Sequence, residues 1–186
     1  MAEPLAPLSP LDGYAAEFNG ARLAEVTGLA IVSLAVSRGM EATLAARLKK
    51  TYRLALPAPG GSAVSGERRL IWMAPDQFLL IFPQVGSDPV GEVRKAIGDG
   101  AWLTDQSDSY CLLRCEGPGV RKALERICPL DLDPRHFALD AAARTMMEHL
   151  GVLIVREAED GFLLASARSS AHSFLHAVKL SFENTQ

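Results

Sequence analysis

The chain has 186 residues, of which 48% are hydrophobic and 22% charged, and its formal net charge is -3. This mixture can bury enough apolar surface to offset chain entropy, which excludes wholesale disorder. The charges are interspersed without a basic stripe, and no apolar run approaches the roughly 20 residues of a membrane helix, so neither nucleic acid nor a membrane is an expected partner.

The N-terminal segment carries Pro4, Pro7, Pro10 and Gly13, which disfavour helix. Residues 1–20 therefore read as an extended arm, with Leu5, Leu8, Leu11 and Tyr14 available either to dock on another surface or to fold back. Met1 to Pro7 offers neither a basic start nor an apolar stretch, so no secretory signal is expected. The short branched run LAIVSLAV over 29–36 predicts a buried strand. Met40, Leu44 and Leu48 at four-residue spacing predict a helix over 40–50, and the Pro-, Gly- and Ser-rich stretch 57–66 predicts a surface loop. Two apolar runs, 69–73 and 77–82, flank Ala74-Pro75-Asp76 and predict a hairpin. A helix over 89–97 ends at Gly98-Asp99-Gly100.

The order then repeats. A strand is predicted over 110–115 and a helix from Gly117-Pro118-Gly119 through Ile127. Strands follow over 145–155 and 161–165, around the acidic turn 157–160, and a last helix over 169–180. Each half thus reads strand, helix, strand, strand, helix, with an offset of about 80 residues, too long for a solenoid repeat. The expected fold is α+β, with two similar halves, 21–100 and 101–186, packed side by side behind the arm.

Chemistry-bearing residues are sparse. His172 and His176 share a helix face, but a zinc site needs a third protein ligand, so two ordinary histidines are expected. Cys111 and Cys115 share a strand face about 13 Å apart, too far for a mutual disulfide. With Cys128 they make an odd count that fits free thiols in a reducing, cytoplasmic setting. The polar run Thr104-Asp105-Gln106-Ser107-Asp108-Ser109 could hold a metal or an amine through Asp105 and Asp108, but strand-entry hydrogen bonding is the plainer expectation. No phosphate-binding glycine fingerprint and no serine elbow occurs. No catalytic, cofactor-binding or metal-binding residue is assigned.

Several segments, taken in order, resemble the gamma subunit of heterotetrameric sarcosine oxidase. They are Ser9-Pro10-Leu11, the run from Trp72 to Leu80, Thr104 to Ser109, Glu116-Gly117-Pro118-Gly119, Cys128 to Pro134, Ala142-Ala143-Arg144-Thr145 and Ala167-Arg168-Ser169. The resemblance implies a non-catalytic subunit, distantly like the folate-binding aminomethyltransferase domain, that supports assembly with alpha, beta and delta subunits. It implies that the complex demethylates sarcosine to glycine, with tetrahydrofolate as one-carbon acceptor and hydrogen peroxide as product. FAD, FMN, NAD and tetrahydrofolate are then expected on the partner subunits and none on this chain. The alternatives are a stand-alone folate-binding or aminomethyltransferase-like protein, which would recruit Asp105 or Asp108 for the pterin, and a scaffold for another amine oxidase.

Overall fold

The computed structural model describes residues 8–185. Among them the chain forms eleven strands and four α-helices. β1 (Ala15–Phe18) and β2 (Ala21–Val26) lead into β3 (Leu29–Val36), α1 (Glu41–Tyr52), β4 (Ser62–Ser65), β5 (Arg68–Ala74), β6 (Gln77–Pro83) and α2 (Pro89–Ile97). A 3-10 turn at Gly98–Gly100 introduces β7 (Ala101–Asp105), β8 (Tyr110–Glu116), α3 (Val120–Leu124), β9 (Ala142–Met147), β10 (Leu150–Ala158), β11 (Gly161–Ala167) and α4 (Ala171–Glu183).

The strands make two antiparallel sheets, one ordered β1-β2-β8-β11-β10-β9 and the other β4-β5-β6-β3-β7. The sheets pack face to face, and each carries a pair of helices on its outer side. Leu44, Leu48, Val93 and Ile97 of α1 and α2 cover Val32, Leu34, Leu80 and Phe82 of the five-stranded sheet. Phe174, Val178 and Phe182 of α4, with Val120 and Leu124 of α3, cover Leu113, Ile154, Phe162 and Leu164 of the six-stranded one. Between the sheets, Ile31, Ile71, Leu79 and Ile81 meet Leu112, Leu153, Val155 and Leu163. Each such side chain contributes about 1.5–3 kcal/mol when fully buried. Central strands are therefore apolar on both faces, which is why they read as continuous hydrophobic runs instead of alternating ones.

The two halves are similar, and the similarity includes strand order. The chain order β3-α1-β4-β5-β6-α2 in one half matches β8-α3-β9-β10-β11-α4 in the other. The five-stranded order β4-β5-β6-β3-β7 then matches β9-β10-β11-β8-β2 in the larger sheet. The last position in each sheet is filled from the other side: β2 runs straight into β3 but pairs with β8, and β7 runs into β8 but pairs with β3. The sheet pairing therefore crosses both boundaries expected at residues 20 and 100.

Several elements depart from the sequence reading. The arm expected over 1–20 is a hairpin from Ala15 onward, turning on Asn19 and Gly20, both at positive φ. Ahead of it, the Glu25 carboxylate accepts from the backbone N–H of Leu11 at 3.2 Å and of Gly13 at 2.8 Å, and from the Ser9 hydroxyl. This folds the segment back, so Leu11 is 6% exposed within the core while Leu8 is 78% exposed. Leu5 lies outside the described residues. The loop expected over 57–66 contains β4. The strand expected over 145–155 is two strands, β9 and β10, because Glu148 takes a left-handed conformation and turns the chain without a glycine. The helix expected through Ile127 is α-helical only over Val120–Leu124 and tightens into i to i+3 bonding at Arg126 and Ile127.

Gly117 shows why the turn before α3 is glycine-rich. Its φ is +114°, and a Cβ there would stand 2.2 Å from the Gly20 carbonyl oxygen, in the turn between β1 and β2. At Gly119 the nearest atom, the Ala21 Cβ, would be an ordinary 3.7 Å away. Gly117→Ala should cost about 2–4 kcal/mol, and Gly119→Ala less than about 1 kcal/mol. Denaturant titration of the pair checks this, and equal stabilities would contradict the packing described.

Candidate functional site

The space between the sheets ends differently at its two ends. At the Leu29 end of β3 it is laced by ions. Arg69 on β5 meets Asp140 at 2.7 Å and Glu157 at 3.5 Å, and Arg114 on β8 meets the other oxygen of Glu157 at 2.8 Å. Arg69 also donates to the Ser62 hydroxyl at 2.7 Å. Arg69 is buried, and these acceptors offset the cost of taking its charge out of water. Behind them the buried Arg156 donates to the carbonyls of Phe137, Ala158 and Glu159 at 2.9, 3.2 and 2.8 Å, which holds the loop that carries Asp140.

Toward the Ala35 end of β3 the sheets part around an open cleft of about 940 Å3. Beyond Met73, Leu79 and Leu153, many of the side chains that line it are small or polar. Ser33, Ala35 and Gln77 form one wall, and Gly151, Ala165 and Ala167 the other. Such side chains cannot fill the roughly 10 Å between packed sheets. Arg144 and Met146, which pair across β9 and β10 with Leu153 and Gly151, stand at the rim. Among the lining residues the ionisable groups are Arg144 and Tyr110. The lining holds no carboxylate, imidazole or thiol, and its hydroxyls are those of Ser33, Ser109, Tyr110 and Thr145.

The candidates from sequence lie elsewhere, and their environments explain them. The run 104–109 carries the chain from β7 in one sheet to β8 in the other. Asp105 accepts from the Ser107 N–H at 2.9 Å and from its hydroxyl at 2.6 Å. The Ser107 oxygen in turn accepts from the Ile31 N–H at 3.0 Å, and the Gln106 N–H donates to the Ile31 carbonyl at 2.7 Å. Asp108 is exposed and faces Arg168 at 3.8 Å. The run is thus a hydrogen-bonded crossover, as the plainer reading expected. Neither carboxylate lines the cleft. His172 and His176 are both exposed on α4, and among the described residues no third metal-binding side chain joins them.

Cys111 and Cys115 alternate with Leu113 on the outer face of β8 and are buried beneath the helices, and Cys128 is buried beside them. Burial pushes the Cys111 thiol up to about 12, with the Glu25 charge adding to the effect. Burial also raises Cys115, and it raises Cys128 against opposing hydrogen bonds from Leu130 and Thr145. These thiols are core side chains.

Sequence reasoning gave no role to the cleft or to the exposed Trp102 on β7. The signal available was a tryptophan directly ahead of a polar crossover, in a segment with no expected strand.

Comparison with known proteins supplies the rest. The Sarcosine oxidase, gamma subunit family matches residues 37–181. The chain belongs to the sarcosine oxidase gamma subunit family. Its similarity to two named sarcosine oxidase gamma subunits is 31% over 108 residues for that of Corynebacterium sp. (strain P-1) and 34% over 94 residues for that of Arthrobacter sp. These alignments cover 58% and 50% of this chain, and 53% and 46% of the relatives, so the chain spans about half their length. The fold is shared with a chain of the heterotetrameric sarcosine oxidase from Corynebacterium sp. U-96, at TM-score 0.82 and 24% identity over 96% of both chains. It is shared more distantly with the glycine cleavage system aminomethyltransferase T from Bartonella henselae, at TM-score 0.60 and 17% identity over 86% of this chain and 45% of that one.

The thiol environments predict a pH dependence for this family member. Cys111 keeps its proton to about pH 12 when folded but would release it near 9 when unfolded. Between those values the folded state binds more protons, so stability falls as pH rises through the window. At neutral pH, maleimide labelling of all three thiols should follow global unfolding. Rapid labelling of the native protein would contradict their placement.

Proposed function

We propose that the chain is the non-catalytic gamma subunit of a heterotetrameric sarcosine oxidase and acts by supporting assembly with alpha, beta and delta subunits. The observation that carries this reading is the family match over residues 37–181. The chemistry of the cleft supports it, since the lining offers an arginine, a tyrosine, amides and hydroxyls but no carboxylate, imidazole or thiol. In this reading the complex works in the cytoplasm. It oxidises sarcosine to glycine, passes the methyl carbon to tetrahydrofolate and reduces dioxygen to hydrogen peroxide. FAD, FMN, NAD and the folate site belong to the partners.

A stand-alone folate-binding role draws on the likeness in fold to aminomethyltransferase T. It needs a carboxylate free to hold a pterin. Asp105 is engaged by Ser107 instead, and Asp108 points to Arg168.

Co-expression with the other three subunits tests the proposal. This chain should co-purify in a fixed ratio with a complex that forms peroxide from sarcosine. Purified alone, it should show no flavin absorbance and no peroxide formation. Retention of equimolar flavin, or micromolar binding of tetrahydrofolate by the isolated chain, would overturn the assignment.

A further inference from the structure

The cleft between the sheets carries a charge that nothing in its lining neutralises. Arg144 stands opposite Leu153 in the β9–β10 ladder, and side chains directly opposite each other in an antiparallel pair share a face. Leu153 packs between the sheets, so Arg144 belongs to the same inner face, at the end where that packing gives way to the cleft. Its surroundings there are open. Gly151, opposite Met146, has no side chain, and a Cβ at that position would meet no atom within 4 Å. At the closed end, Arg69 and Arg114 share the Glu157 carboxylate. At the open end no acidic residue lines the cleft, although the chain as a whole has a net charge of -3.

The rest of the lining describes a ligand. Met73, Leu79 and Leu153 give an apolar floor, and Gln77, Gln106 and Tyr110 add groups that can hydrogen-bond. The volume, about 940 Å3, lies within the range of small-molecule sites. A single guanidinium matches a single carboxylate, which it can meet with two parallel hydrogen bonds. Phosphate sites instead gather helix N-termini or backbone nests, and every residue that lines this cleft lies in a strand or in the 106–109 crossover. We propose that the open end of the cleft is a binding site for a small carboxylate with an apolar body, its acid group on Arg144 and its body over Met73, Leu79 and Leu153. The site is a property of this chain alone, so it stands or falls separately from the subunit reading.

The test titrates the full chain with benzoate, and with benzamide as its uncharged counterpart, at fixed ionic strength, following backbone amides by NMR. Benzoate should bind with a Kd of roughly 1 mM and shift the amides of Gly151 and Leu79. Benzamide should bind roughly tenfold more weakly. Arg144→Met should bring benzoate down to the affinity of benzamide and leave benzamide unchanged. Gly151→Leu, whose side chain enters the open space, should weaken both probes roughly tenfold. Arg144 and Gly151 are exposed, so the melting temperature of each variant should stay within about 2 °C of wild type, and should one variant fail to fold, the other decides. Absence of benzoate binding, equal affinity for the two probes, amide shifts confined to other parts of the molecule, or folded variants that bind as wild type would each overturn the proposal.

Discussion

Each half of this protein is incomplete without a strand from the other. β2 belongs by chain order to the first unit and by hydrogen bonding to the second sheet, and β7 is its mirror case. The exchange ties the sheets at two short crossovers, Thr27-Gly28 and the 106–109 run, and sets them face to face. Everything between them follows. The inner faces must be apolar where the sheets meet, and the helices must cover the outer faces. The chain is thereby one body built from two interleaved repeats, and neither sheet has its full complement of strands without both.

The space between the sheets is where the molecule departs from symmetry. One end is closed by Arg69, Glu157, Arg114 and Asp140, an arrangement whose worth lies in specifying how the sheets sit more than in net stability. The other end is left open by small side chains, with an arginine and a methionine at its rim. The fold is shared with an aminomethyltransferase, but a shared fold reports the layers, while the side chains in the cleft decide what it can do.

The central strands were legible in the sequence because burial on both faces leaves long apolar runs such as those of β3, β6, β8 and β11. The edge strands were not. β1, β4 and β7 are short and partly exposed, and their composition reads as arm, loop and polar run. The β1–β2 hairpin had a usable signal in Asn19-Gly20, the dipeptide favoured by two-residue turns, but the prolines ahead of it pointed to an extended arm. The β9–β10 turn had no such signal, since Glu148 supplies the left-handed residue. The roles of Asp105 and of the cysteines followed from residue type and period alone. The cleft and the β7 edge did not, because both arise from pairings between residues far apart in the chain.

The exchange of β2 also has a consequence for synthesis. On the ribosome β2 emerges well before β8, the strand it must pair with, and at about 5–20 residues per second the interval lasts several seconds. Through that time its inner edge has no partner. The β1–β2 hairpin closes locally and within microseconds, so it protects one side of an otherwise orphaned strand until the second half arrives. β7 faces no such delay, because β3 has already been made when it appears. The strand that must wait is the one given a local companion, and the strand that need not wait is the one left with a bare edge.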